Sequence, residues 1–288
     1  MNENNLEYLK KTLEGLGFGT KLHDVLETAI QREMPKFSLG VNTRMRPAES
    51  RDFGDARTEV LDFRINFNRS KESDMYFLND YRVTLLKKDD PIVREQTFDL
   101  ARDHRITAYQ AFKLLSGFSL EKEVFLRNKG EGQQQGAQPD KIPMWFRLNL
   151  DITDAYGNHP LRTFRPEYGY DLNEALGKYP IKGLDTPEKM QEAMIALRNG
   201  NYVHTTLAVG RKSVPVSIAA NPQMKTIDIY DKDMAEIRDE TIFPEKATAK
   251  KEKREAPSES VEHKNGKKTE PLPWQQEPEQ ETGRKRGR

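Results

Sequence analysis

Cysteine is absent from the 288-residue chain, which removes disulfides, thiolate zinc sites, iron–sulfur clusters and cysteine nucleophiles together. Apolar residues are scarce as well. They make up 35% of the chain against 32% charged, a balance expected where part of the sequence never packs. No run of about 18 apolar residues is present to span a bilayer as a helix, and the opening MNENNLEYLKK lacks the apolar region of a secretory signal. These absences lead to the expectation of a cytoplasmic protein without membrane contact. The formal net charge of +1 hides how charge is distributed, so any basic surface has to arise locally.

Catalytic patterns are missing too. Ser119 and Ser217 lack the G-x-S-x-G setting of a hydrolase elbow. The glycines of GLGFG and GEGQQQG do not sit between a strand and a helix start, as phosphate loops require. His23, His104, His159, His204 and His263 have no metal-ligand spacing. Asp151, Asp154 and Asn158 in DITDAYGN are arranged like part of a calcium loop, but no bidentate glutamate follows at the required distance, and a tight Asx turn accounts for them. The chain is therefore expected to be no enzyme and to need no cofactor.

What is present is a punctuated series of helical and alternating periods. Leu6, Leu9 and Leu13 fall on one helical face ended by the glycines at 15–19, and a second helix is predicted with Leu22, Val25, Leu26, Ala29 and Ile30 inward and Pro35 just beyond. The period then becomes two. Leu61, Phe63, Ile65 and Phe67 alternate with polar residues, DMYFLNDYRVTLLKK supplies an antiparallel partner and REQTFDLA a third strand. A short helix follows, with Thr107 and Gln110 in capping-box positions, Ala108, Ala111, Phe112 and Leu115 inward, and Gly117 at its stop. In MWFRLNLDI the residues Phe146, Leu148, Leu150 and Ile152 share one side, TDAYGNHP is a hairpin turn and LRTF a return strand. Beyond it, Leu172, Ala175 and Leu176 mark a helix, Met190, Ala193, Met194 and Leu197 another, and YVHTTLAV, VPVSIAA and KTIDIYD read as strands.

The pattern predicts an α+β fold: antiparallel sheets with helices packed on one face. Two similar subdomains are expected, at residues 1–127 and 142–243. The Gly- and Gln-rich segment 128–141 reads as a loop or linker, and 244–288 as a disordered charged tail too poor in apolar residues to offset an ordering cost of roughly 1–2 kcal/mol per residue.

Basic residues give the functional lead. Arg44, Arg46, Arg51 and Arg57 cluster between predicted strands, and Arg211 and Lys212 occupy a hairpin tip. Such loops follow a phosphate backbone or merely solvate a sheet edge. Tyr76, Tyr81, Tyr202 and Trp145 would stack on bases if they faced outward. The tail ends in Arg284, Lys285, Arg286 and Arg288 without an acid among the last six residues, a stretch that condenses onto nucleic acid in a salt-dependent way. Trp274, flanked by prolines, is either incidental or the anchor of a partner-binding motif.

The segments NNLEYLKKTLEGLGFG, SDMYFLNDYRVTL, ITAYQAFKLLSG, YGYDLNEALGKYPIK and IAANPQMKTIDIYD, in that order, resemble a group of uncharacterised proteins encoded on conjugative and integrative elements of Bacteroidota. The last two look like a recurrent domain of unknown function, in some cases attached to DNA-processing enzymes such as topoisomerases. The resemblance spans Asn4 to about Asp233 and implies a cytoplasmic accessory protein of a mobile element, acting near DNA or a DNA-processing partner. The alternative is an adaptor or inhibitor that binds protein through a sheet edge and Trp274 and never touches nucleic acid.

Truncation after Pro244 is expected to preserve the thermal unfolding transition of the full chain. A fall of many degrees would mean that the tail packs on the folded region.

Overall fold

The computed structural model describes residues 2–47, 50, 58–87, 93–125, 141–210 and 212–243. Within them the fold is α+β, built from helices and three antiparallel sheets. Helix α1 (Glu3–Gly15) starts where the Asn2 side chain accepts from the Asn5 amide, and buries Leu6, Leu9 and Leu13. Helix α2 (His23–Gln31) buries Leu26, Ala29 and Ile30. Val25, expected inward, is 54% exposed. The buried stripe is narrow, and position 25 lies a full 100° around the helix from Leu26.

The first sheet is a meander of β1 (Lys36–Met45), β2 (Glu59–Arg69), β3 (Tyr76–Leu86) and β4 (Arg94–Asp99) in chain order. Leu61, Phe63, Ile65 and Phe67 are buried as their alternation predicts, joined by Tyr81, Val83 and Leu85 from β3. Strand β1 was not among the predicted strands; Arg44 lies in it, paired with Val60, rather than in a loop. Helices α1, α2 and α3 (Ala108–Leu115) pack on the apolar face. The capping box of α3 is complete: the Gln110 amide donates to Thr107 Oγ1 at 3.3 Å and the Thr107 amide to Gln110 Oε1 at 3.0 Å.

The second sheet comprises β5 (Leu120–Phe125), β6 (Lys141–Leu148) and β7 (Leu161–Phe164). Strands β5 and β6, on either side of the segment expected to link two subdomains, are hydrogen-bonded neighbours. Alternation along β6 serves two cores. Met144, Phe146 and Leu148 enter the cluster under the first sheet, while Trp145 and the β7 residue Phe164 enter a second cluster. The strand ends at Leu148 because the Asp151 amide turns back onto Asn149 Oδ1, and Asp154 then accepts from the Tyr156 and Asn158 amides in a tight turn. Leu150, half-buried, still packs against the first core as expected, whereas Ile152 is 53% exposed, against the expectation that it continues the apolar face.

The second core lies beneath the third sheet, ordered β11 (Thr226–Tyr230), β10 (Lys212–Asn221), β9 (Val203–Val209), β8 (Ile181–Lys182). Helices α4 (Leu172–Gly177) and α5 (Pro187–Arg198) cover it, and the short α6 (Asp239–Ile242) adds Ile242. Val216 and Ile218 are buried as predicted, and the intervening Ser217 and Ala219 are buried as well, which makes β10 a strand with two covered faces. Helix α5 enters between β8 and β9, whereas both α1 and α2 precede β1.

Because β6 is covered on both faces, Phe146→Ala and Trp145→Ala should each lower stability by about 3–5 kcal/mol in urea unfolding followed by circular dichroism. A loss below about 1 kcal/mol at either position would show that its face is not part of a core.

Candidate nucleic-acid interface

The face of the first sheet turned away from α1–α3 is polar. Its rows follow from the strand register. Ser38, Asn66, Asp80 and Asp99 form one row, Gly40, Arg64, Arg82 and Thr97 the next, and Asn42, Asp62, Thr84 and Glu95 a third, so that Asp80 stands directly opposite Asp99. Arg44 and Arg46 extend from the β1 end of this face, and both are exposed. Each carboxylate among these rows has a neighbour. Asn42 donates to Asp62, Asn66 to Asp80, and Arg82 and Thr84 to Glu95.

Arg64 and Arg82 stand directly opposite each other on β2 and β3. Like charges in this relation destabilise a sheet, and only Arg82 is compensated, by Glu95. Arg64 forms no ion pair with another described residue, and Gly40 beside it contributes no side chain to the row. A shallow pocket of about 250 Å³ lined by Asp62, Phe63, Arg64, Arg82, Thr84 and Glu95 opens here. Guanidinium groups presented in this way match phosphate oxygens.

Of the residues singled out from the sequence, Arg44 lies in β1, Arg46 one residue beyond its end, and Lys212 is exposed at the start of β10, in the third sheet. Arg51, Arg57, Arg211, Trp274, Arg284, Lys285, Arg286 and Arg288 lie outside the described residues. The stacking candidates are corrected. Tyr76, Tyr81 and Trp145 are buried, Tyr81 completely, with its hydroxyl donating to Ile106 O at 2.8 Å. Tyr202 is half-buried and packs edge-on to Phe118 and Tyr230. Arg64 and Arg82 were missed. Their alternation was legible, but only the strand register puts them side by side.

Other polar features resolve as structural. Ser217 is buried and shares a 2.9 Å hydrogen bond with His204 Nδ1, so its hydroxyl is closed to substrate. Ser119 is buried, and no cluster of His, Asp and Glu able to hold a metal occurs among the described residues. Lys122 donates to Arg105 O at 2.7 Å and Gln110 Oε1 at 3.2 Å. Burial, helped by the neighbouring Arg105 charge, lowers its ammonium to about 8.

A separate cleft of about 400 Å³ lies where the ends of β4, α3, β6 and β10 meet, with Arg94 and Arg147 in its wall. Arg94 Nη1 donates to Leu115 O at 2.7 Å, and Arg147 Nη1 lies 3.5 Å from Ser119 Oγ and 3.6 Å from Asp228 Oδ2.

Comparison with protein-family models, curated proteins and solved structures finds no match to this chain.

Two outcomes follow. Arg64→Thr removes a like-charge cross-strand pair and should raise stability by about 0.2–1 kcal/mol in urea unfolding, whereas a loss would mean that Arg64 is held by attraction. For Lys122, the folded-state value lies below the unfolded one, so protonation disfavours the folded state. Stability relative to Lys122→Met should rise as pH climbs from about 8 toward the ordinary lysine range, seen in paired thermal melts. A flat difference would contradict the shift.

Proposed function

We propose that this chain is a non-enzymatic binding module, a cytoplasmic accessory protein of a mobile genetic element that associates weakly with DNA through phosphate contacts. The observation that carries the reading is the exposed, opposed pair Arg64 and Arg82 with exposed Arg44 on the same polar sheet face. A sheet that places like charges side by side gives up stability for a surface that attracts anions. Because Asp62, Asp80, Glu95 and Asp99 share the face, the attraction is modest and local to the arginine row. Tyr76, Tyr81 and Trp145 are buried and closed to stacking on bases, so the reading rests on contact with the phosphate backbone, which tolerates sequence.

The tail adds to this attraction. Acidic residues slightly outnumber basic ones up to Pro244, and the chain's positive balance comes from the residues beyond it. Arg284, Lys285, Arg286 and Arg288 act as an electrostatic tether, raising the local concentration of DNA near the sheet.

A second reading has its own observation. Strand β1 is the edge of the first sheet, without a further strand beside it among the described residues. Such an edge accepts an extended peptide by strand addition, which supports an adaptor or inhibitor that uses this edge and Trp274 and leaves nucleic acid alone.

Fluorescence anisotropy with mixed-sequence duplex separates the readings. The full chain should bind with micromolar affinity at low salt, and raising salt from about 50 to 200 mM should weaken binding by an order of magnitude or more. Combined Arg44→Ala, Arg64→Ala and Arg82→Ala should reduce the logarithmic salt slope by roughly 0.9 per contact removed. No binding at low salt to duplex or single strand would remove the DNA reading and leave the adaptor.

A further inference from the structure

We propose that the cleft between the ends of β4, α3, β6 and β10 binds a small organic phosphate carrying hydroxyl groups, of the size and chemistry of a mononucleotide. It is a site apart from the sheet face, with its own arginines.

The cleft's volume of about 400 Å³ falls in the range of small-molecule sites, roughly 300–1,000 Å³. Two guanidinium groups line it, and neither is used up by the protein. Arg94 makes one short bond, to Leu115 O at 2.7 Å, which fixes the side chain and leaves the rest of its fork for a ligand. Arg147 is held loosely, its Nη1 at 3.5 Å from Ser119 Oγ and 3.6 Å from Asp228 Oδ2. The other oxygen of Asp228 takes the Asn221 amide at 2.7 Å, so this carboxylate is shared and compensates Arg147 only in part. Arg162 on β7 stands directly opposite Arg147 on β6. The two form a second like-charge cross-strand pair. Two arginines lining one cavity suit the several oxygens of a phosphate.

The rest of the lining specifies what the phosphate is attached to. Leu150 and Met224 offer an apolar wall, and Met224 is 68% exposed at the mouth, where a ring would cover it. Asn149 and Gln223 supply amides. Asp151, exposed at the rim, repels a bare anion but accepts from a sugar hydroxyl, which favours a hydroxylated phosphate ester over inorganic phosphate.

Isothermal titration of the full chain with adenosine monophosphate, adenosine and inorganic phosphate tests the proposal. Adenosine monophosphate should bind with submillimolar affinity, and both adenosine and inorganic phosphate at least about tenfold more weakly, since each lacks one half of the contacts. Arg94→Gln and Arg147→Gln should each weaken the nucleotide about tenfold or more. Because Arg147→Gln also disturbs Asp228, Met224→Glu provides a variant at an exposed position; it puts a carboxylate at the mouth and should weaken the nucleotide comparably with an unchanged melting temperature. Arg64→Ala should leave nucleotide affinity unaltered while weakening DNA, which keeps the two sites distinguishable. No nucleotide binding, equal binding of adenosine, or affinity insensitive to Arg94, Arg147 and Met224 would overturn the assignment.

Discussion

Strand β6 is the constraint on which the rest of the structure depends. Its eight residues are too few to form a layer of their own, yet they send Met144, Phe146 and Leu148 into one core and Trp145 into another. Such a strand cannot slip by one residue, because a slip would exchange the two faces and put the Trp145 indole where the Phe146 ring belongs. Pairing with β5 on one side and β7 on the other then fixes both neighbours. The first sheet with its three helices and the third sheet with its two covering helices each have their own apolar cluster, and β6 contributes to both.

The cores occupy one face of the first sheet, and among the described residues the opposite face presents polar, largely exposed side chains. There the chain gives its carboxylates amide and guanidinium neighbours, yet sets Arg64 against Arg82 and, in the adjacent row, Asp80 against Asp99. A surface selected only for stability would alternate signs across the strands. The proposed phosphate contact gives this arrangement a reason, and the modest strength of the attraction follows from the acids that share the face. The chain's positive balance lies beyond Pro244.

Much of the fold was legible because local periods and turn chemistry agree with it. The alternation of Leu61, Phe63, Ile65 and Phe67, the Thr107–Gln110 capping box and the glycine after α1 all correspond to observed elements. Strand β1 escaped notice because Gly40, Asn42 and Thr43 dilute the signal of Phe37, Leu39 and Val41. Val25 and Ile152 were placed inward by a period that continued further than the packing did. The interface was less legible than the fold. Arg44 and Arg46 were found as a local cluster, but the opposition of Arg64 to Arg82 depends on a register between distant strands, and burial of Tyr76, Tyr81 and Trp145 depends on which face each strand turns to the helices. Neither quantity is local, so neither is written in any short window of sequence.

The central claim is that the uncovered face of the first sheet is where DNA docks. Its most direct test is a nuclear magnetic resonance titration of the full chain with short mixed-sequence duplex, following backbone amides and arginine Nε–Hε groups. The account expects shifts on β1, β2 and β3, with the Arg44, Arg64 and Arg82 side chains moving together and the helix-covered face unchanged. Shifts confined to the tail, or to the third sheet, would contradict it.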